Sequence, residues 1–137
     1  MPRPPNVFIT GASSGIGAAL ARRYAARGAA VGLFARRAIE LDALTATLPA
    51  GRAVAYVGDV RDAAPLARAA ADFIARFGPP DVVIANAGIS RGVLTGEGND
   101  LPAFRAVFDT NVIGLVHTFA PFLAAMNGAG QGALVGI

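Results

Sequence analysis

The segment Thr10-Gly11-Ala12-Ser13-Ser14-Gly15-Ile16-Gly17 (TGASSGIG) decides the fold of this chain. It follows the short apolar run Asn6–Thr10, which predicts a buried strand ended by glycine. From Gly15 to Arg27, apolar residues recur every four positions, which predicts a helix that ends before Gly28. A glycine turn between a strand and a helix points unpaired N–H groups at an anion, so we expect an anion site here. A glycine-rich turn without a ligand is the alternative.

The remaining sequence repeats this alternation of short apolar runs and helical spacings. Near-continuous apolar strands separated by helices are typical of a parallel sheet covered on both faces. We therefore predict an α/β fold, a Rossmann-type doubly wound parallel sheet with five strands in the order 3-2-1-4-5. The predicted later strands are 30–35, 53–57, 81–85 and 132–137. The second predicted helix is Ile39–Leu48, and the third begins at Asp62 and ends at Gly78. The fourth predicted helix is long, begins at Asp100 and Pro102, and is bent or broken by Pro121.

Composition excludes several classes of protein. The 137 residues are 54% hydrophobic and 15% charged, which excludes intrinsic disorder and fits a single domain, residues 1–137. The sequence has no cysteine, no lysine and one histidine, so it offers neither a thiolate nor a polyhistidine metal site. The net charge of +3 comes from scattered arginines without a nucleic-acid-binding motif. The most apolar stretch, Val112–Met126, is shorter than a membrane span, so we expect a cytoplasmic protein with no nucleic-acid or membrane partner.

Four motifs occur together: TGASSGIG, Asp59-Val60 after the third strand, Asn86-Ala87-Gly88 after the fourth, and Asn111 in the long helix. In this order and spacing they resemble the classical short-chain dehydrogenase/reductase family. The resemblance covers the whole chain and corresponds to the cofactor-binding half of the family. It implies an NAD(P)-dependent oxidoreductase that moves hydride between a nicotinamide cofactor and a small carbonyl or alcohol.

The resemblance also implies roles for individual residues. Asp59 would accept a hydrogen bond from the adenine amino group, and Val60 would pack near the ring. Asn111 would be the catalytic-site asparagine that helps to organise a proton-relay water. For Asp59 a helix cap is the alternative, and for Asn111 a polar residue that satisfies backbone groups. The cofactor-binding residues implied in the glycine turn and after the fourth strand are Gly11, Ser13, Ser14, Gly15, Ile16, Gly17, Asn86, Ala87 and Gly88.

The end of the second strand predicts which dinucleotide is bound. An acidic residue there holds the ribose 2′-hydroxyl of NAD, and an arginine suits the 2′-phosphate of NADP. This sequence has Ala35 at the expected acidic position, followed by Arg36 and Arg37. Guanidinium groups bind phosphate bidentately, so we predict NADP over NAD, with Arg36 as the main contact.

The sequence departs from the family at the catalytic acid. The family protonates the alkoxide with a tyrosine whose pKa is lowered by a lysine four residues later, and a serine orients the substrate. This chain has no Tyr-x-x-x-Lys, and the run Gly132–Ile137 stops about two residues before the position of that serine. We expect a truncated piece of a longer protein that is inactive alone. A non-catalytic nucleotide-binding or interaction module is the alternative, and a methyltransferase of similar fold is a weaker one.

The positions of the other candidate residues indicate structural roles. His117 lies within the apolar long helix, Tyr24 lies on the apolar side of the first helix, and Tyr56 lies within the third strand. The long helix around residues 102–126 is more apolar than a surface helix needs, and the equivalent helix often joins subunits in the resembled family. We therefore expect a homo-oligomer through this helix. The loop from Ile89 to Asn99 is too generic to identify the substrate.

Overall fold

Five parallel strands form one sheet in the order β3-β2-β1-β4-β5, as predicted. The computed structural model describes residues 3–96 and 98–137. β4 and β5 are shorter than predicted, because Asp81 and Gly132 lie outside the ladder. The strands are β1 (Asn6–Thr10), β2 (Ala30–Ala35), β3 (Ala53–Val57), β4 (Val82–Ala85) and β5 (Ala133–Gly136).

Helices connect the strands and cover both faces of the sheet at β1 and β2, whereas every residue of β5 is exposed. They are α1 (Gly15–Ala25), α2 (Ala38–Ala46), α3 (Ala63–Phe77) and a long helix, Leu101–Ala129. α1 ends two residues before the predicted Arg27, because the chain turns towards Gly28, whose φ is +81°. The predicted start of α3 is confirmed, since the Asp62 side chain accepts a hydrogen bond from the Ala64 N–H at 3.0 Å.

The long helix is continuous but irregular. A π-helical turn, Asp109–Ile113, interrupts its α-helical geometry, and a 3₁₀ turn, Ala120–Phe122, surrounds Pro121. Of the predicted bend or break at Pro121, the break is wrong, because the tighter turn accommodates the missing N–H and the helix continues to Ala129. The bend stays a prediction. Asp100 precedes the helix as predicted, but its side chain makes no cap hydrogen bond.

This continuity gives the long helix 29 residues, enough in length and apolar composition to cross a membrane. The prediction of no such segment assumed a stretch of only 15 residues, Val112–Met126, and is wrong for the helix as a whole. Phe122 and Met126 on this helix are buried against the sheet. Core helices of soluble proteins pass the same length and composition criterion, so the absence of a membrane partner stays a prediction.

The core has two layers, one on each face of the sheet. On one face, alternate residues of β1 and β2 such as Val7, Ile9 and Leu33 pack against α1 and α2. On the other face, an aromatic cluster packs beneath α3 and the long helix. Gly32 makes room for this cluster, because a Cβ there would lie 2.6 Å from the Phe8 ring and 2.7 Å from the Phe73 ring. The aromatic cluster comprises Phe8, Phe34, Tyr56, Phe73 and Phe122.

The amino end of β1 is attached to the segment just before β4. The Asn6 N–H donates to Asp81 Oδ2 at 2.7 Å, and Arg3 binds both oxygens of the same carboxylate at 2.9 and 3.0 Å. A bidentate arginine–carboxylate pair fixes geometry more firmly than a single contact. Asp81 therefore sets the register in which the central strands begin.

Tyr56 packs in the sheet as predicted, with its ring centroid 5.8 Å from that of Phe8. Its hydroxyl also has a partner that the sequence does not reveal. It donates to Asp72 Oδ2 at 2.7 Å, and the Arg76 Nε donates to the same oxygen at 2.7 Å. Burial, followed by the hydrogen bond to Asp72, raises the pKa of Tyr56 well above its usual value.

The raised pKa of Tyr56 predicts a loss of stability in alkali. Above the unfolded-state pKa of about 10, the unfolded chain releases a proton that folded Tyr56 retains, so the free energy of unfolding falls as pH rises. We expect Tyr56→Phe to flatten this decline in guanidinium titrations run between about pH 9 and 11.5. Parallel pH curves for the variant and the wild type would contradict the assignment.

Candidate active site

A cavity of about 300 Å³ opens at the carboxyl ends of β1, β2 and β4. Ligands of doubly wound sheets bind at this edge, where the strand order reverses. The cavity brings together ten of the predicted cofactor residues and five others. The predicted ones are Gly11, Ser13, Ser14, Arg36, Arg37, Asp59, Val60, Asn86, Ala87 and Gly88, and the others are Phe34, Ala35, Gly58, Ile89 and Thr110.

The glycine turn forms the floor of this cavity. Gly11 has a φ of +65°, and a Cβ there would lie 2.8 Å from the Cα of Ala87. Gly17 lies in the first turn of α1, where a Cβ would overlap the carbonyl oxygen of Gly11. Gly15, Ile16 and Gly17 are absent from the cavity wall as described, and the Ile16 side chain is exposed. The structure thus gives Gly17 a packing role that brings α1 close to the turn.

Thr10 and Asn86 connect the turn to the segment after β4. The Thr10 Oγ1 accepts hydrogen bonds from the N–H groups of Asn86 at 3.1 Å and Ala87 at 3.3 Å. The Asn86 Nδ2 donates to the carbonyls of Thr10 and Gly11, both at 3.2 Å. Thr10 is the first residue of the TGASSGIG motif, but nothing in the local sequence indicates this function. The two loops that form the switch point are therefore fixed as one unit.

Thr10→Val will destabilise the protein by about 1–3 kcal/mol, because two partly buried backbone N–H groups lose their acceptor. Chemical denaturation measures this change. Thr45→Val is the matched control, since the Thr45 hydroxyl donates only to the Leu41 carbonyl of its own helix at 2.7 Å. We expect the control to stay within about 0.5 kcal/mol of the wild type. Equal losses in both variants would contradict the linking role of Thr10.

Two arginines stand at the end of β2. The Arg37 Nη2 donates to Ser13 Oγ at 3.3 Å, and its Nη1 lies 3.4 Å from Glu40 Oε1. Arg36 also lines the cavity, and its charge helps to lower the pKa of Asp59. Ala35, at the position where an acidic residue would face an NAD ribose, is buried. This corner of the cavity is thus positively charged and has room for an anion.

Asp59 lines the cavity on the adjacent side, after β3. The Arg61 Nη2 donates a hydrogen bond to the Asp59 Oδ2 at 2.7 Å, and the backbone N–H of Arg61 donates to Oδ1 at 2.9 Å. The hydrogen bond from the Arg61 side chain, aided by its charge and that of Arg36, holds the pKa of Asp59 below its usual range. Asp59 is therefore an ionised acceptor at neutral pH, with lone pairs left for a further donor.

Asn111 lies in the π-helical turn of the long helix. Its Nδ2 donates to the Ile89 carbonyl at 2.9 Å, and its Oδ1 accepts from the Ile89 N–H at 2.8 Å. The side chain thus satisfies both backbone groups of one loop residue. It is absent from the cavity wall as described. Its proposed part in a proton relay stays a prediction.

Two features of the site have different sequence signals. Gly58 is needed because a Cβ there would lie 2.6 Å from the Phe34 ring and 2.8 Å from Pro65, and its place before Asp59-Val60 was a usable signal. Thr110 and Ile89 carry no such signal, since tertiary packing brings them to the wall.

Within residues 3–96 and 98–137, no three His, Cys, Asp or Glu side chains cluster closely enough to hold a metal ion.

Comparison with known proteins identifies the fold family. The sequence profile of the short chain dehydrogenases matches residues 5–137. The chain belongs to the short-chain dehydrogenase family. Proteins of this family are oxidoreductases that use NAD or NADP and act on small molecules.

Individual short-chain dehydrogenases are similar over nearly the whole chain. An oxidoreductase of Sarocladium schorii is 41% identical over 93% of this chain and 50% of its own length. A short-chain dehydrogenase from Streptomyces avermitilis superimposes with a TM-score of 0.89 and 35% identity, over 98% of this chain and 49% of that one. The alcohol dehydrogenase of Thermococcus sibiricus, solved with 5-hydroxy-NADP, has a TM-score of 0.84 and 31% identity, over 93% and 55%. The chain thus spans about half the length of these short-chain dehydrogenases.

Proposed function

We propose that this protein binds NADP(H) in the cavity and transfers hydride between the cofactor and a small carbonyl or alcohol. The observation that carries the choice of NADP is the corner formed by Arg36, Arg37 and Ser13 beside the buried Ala35. Two guanidinium groups there bind a 2′-phosphate, and an acidic residue that would repel it is missing at position 35. The solved relative that carries an NADP analogue is consistent with this choice.

The residues of the cavity fit such a dinucleotide. Gly11 and Gly17 permit the close packing of the glycine turn against Ala87 and α1, and the first turn of α1 directs N–H groups towards a pyrophosphate. Asp59 accepts a hydrogen bond from the adenine amino group, and Asn86 holds the segment that lines the nicotinamide side of the cavity. The bound nicotinamide supplies or accepts the hydride. In this proposal Asn111 keeps Ile89 in place and orders a water for proton transfer.

In the proposed enzyme, the serine and Tyr-x-x-x-Lys of the active site lie outside residues 1–137. Relatives about twice as long as this chain support that assignment. Among them, the sulfoacetaldehyde reductase of Chromohalobacter salexigens is 35% identical over 94% of this chain. Residues 1–137 then form the cofactor-binding part, which is inactive by itself.

We also propose that the long helix joins two copies of the protein, and that the protein is cytoplasmic. Leu101, Phe108 and Val116 lie on the helix with more than half of each residue exposed, at 55, 58 and 55%. Short-chain dehydrogenases commonly oligomerise. Light scattering of the natural full-length protein measures its oligomeric state, and a monomer at micromolar concentration would contradict the proposed contact.

Two measurements on the full-length protein test the function. The first is calorimetric titration with NADPH and with NADH. The second is an assay of reduced-nicotinamide absorbance with aldehydes, ketones and alcohols. We expect NADPH to bind at least about tenfold more tightly than NADH, equivalent to about 1.4 kcal/mol. Turnover of a carbonyl or alcohol supports the oxidoreductase. Tight NADPH binding without turnover would favour the non-catalytic nucleotide-binding module. Absence of dinucleotide binding would contradict both.

A further inference from the structure

His117 makes one contact that the function described so far does not use. Its Nδ1 lies 2.8 Å from the carbonyl oxygen of Val60. A carbonyl only accepts hydrogen bonds, so Nδ1 carries the proton and donates it. Val60 follows Asp59, the adenine acceptor of the proposed function. We infer that His117 is a positioning residue for the adenine end of the cofactor site, an inference that rests on the proposed function.

The long helix contacts Val60 twice. The Val60 side chain is buried, with 5% exposed, and packs on Gly114 of the same helix. A Cβ at Gly114 would lie 2.6 Å from Val60 Cγ2, so only glycine permits this approach. His117 binds the carbonyl of Val60 from one turn further along. Side chain and backbone of Val60 are thus both held by one rigid element.

The hydrogen bond from His117 affects the position of Asp59 through the peptide group between Val60 and Arg61. The carbonyl of Val60 and the N–H of Arg61 belong to the same planar unit, so fixing one end fixes the other. That Arg61 N–H donates to Asp59 Oδ1 at 2.9 Å. His117 therefore orients the donor that holds the carboxylate, and the linked hydrogen bonds polarise one another. The Arg61 side chain secures the second carboxylate oxygen.

The same helix also secures the opposite wall of the cavity. Asn111 binds both backbone groups of Ile89, which lines the cavity after β4. Asn111 and His117 therefore fix two separate loops from a single helix. The adenine side and the Ile89 side of the cavity are therefore both attached to the long helix.

The test compares two cofactors that differ only at the adenine amino group, from which Asp59 would accept a hydrogen bond. NADPH carries the adenine amino group, and reduced nicotinamide hypoxanthine dinucleotide phosphate carries a carbonyl oxygen there. We expect calorimetry on full-length His117→Leu to show NADPH affinity about three- to tenfold lower, as for loss of one hydrogen bond, and affinity for the hypoxanthine cofactor within about twofold. His117→Asn retains an N–H donor and should restore most of the preference for adenine.

Thr118→Val is the matched control. The Thr118 hydroxyl is buried and donates only within the long helix, to the Gly114 carbonyl at 2.7 Å. It should lower thermal stability without changing the preference for adenine. Equal losses of both cofactors in His117→Leu, or no loss of either, would overturn the inference while NADP binding stands. A wild type that binds both cofactors equally would also overturn it, and one that binds neither would overturn the proposed function itself.

Discussion

We expect Gly17→Ala to lower dinucleotide affinity by about a hundredfold or more, equivalent to about 2.7 kcal/mol. The added methyl group would overlap the Gly11 carbonyl oxygen and lie 2.7 Å from Asn86 Nδ2. These neighbours belong to the glycine turn and to the side chain that fixes it, so the floor of the cavity must move. Calorimetry measures the affinity, and urea denaturation should show stability lowered by about 1–3 kcal/mol from overpacking.

The chain provides a matched control for this substitution. Gly128 also lies in a helical segment, Leu123–Ala129, and a Cβ there would meet no atom within 4 Å. Gly128→Ala should leave dinucleotide affinity unchanged and raise stability by about 0.5–1 kcal/mol, since alanine favours helix. Gly17→Ala with affinity within threefold of the wild type would show that the close approach of α1 to the turn is dispensable.

The double variant Arg36→Ala/Arg37→Ala will bind NADPH at least about a hundredfold more weakly, because each charge-assisted hydrogen bond contributes about 1.5–3 kcal/mol. NADH lacks the 2′-phosphate, so its affinity should change less than about threefold. Titration of both cofactors separates loss of phosphate recognition from general damage to the site. The loss for NADPH should shrink at high salt, because ions screen exposed charges.

Arg22→Ala/Arg23→Ala is the control for this double substitution. These two arginines form another adjacent pair, in the last turn of α1, and neither lines the cavity. Removing them changes the net charge equally, so both cofactors should bind as to the wild type. Equal weakening of NADPH and NADH by the Arg36/Arg37 variant would contradict recognition of the 2′-phosphate.

Strand order and most element boundaries follow from the sequence, because parallel strands buried on both faces must be apolar throughout. β1 and β2 are buried throughout and have the predicted bounds for this reason. β3 also has the predicted bounds, although it lies at the edge of the sheet and is only partly buried. The π-helical turn at Asp109–Ile113 could not be predicted, since a local change of helical pitch barely alters apolar spacing. The 3₁₀ turn around Pro121 could not be predicted for a related reason, since it accommodates the missing N–H within a continuous helix.

The walls of the site follow from motifs, but the contacts that stabilise them do not. Asn86 and Arg37 were predicted at the cavity from their places after strands. Thr10 and His117 bind groups 76 and 57 residues away in the sequence. No periodicity or local spacing records such partners, so their positions required the tertiary structure.

The attachment of Asn6 to Asp81 has a consequence for biosynthesis. β1 is the central strand and is synthesised before the other four strands of the sheet, yet its partner Asp81 is 75 residues further along the chain. At translation rates of about 5–20 residues per second, that separation lasts about 4–15 seconds. During this interval one edge of a strand that is fully buried in the folded protein has no native neighbour. Nascent β1 is therefore exposed to wrong pairing until β4 has been synthesised.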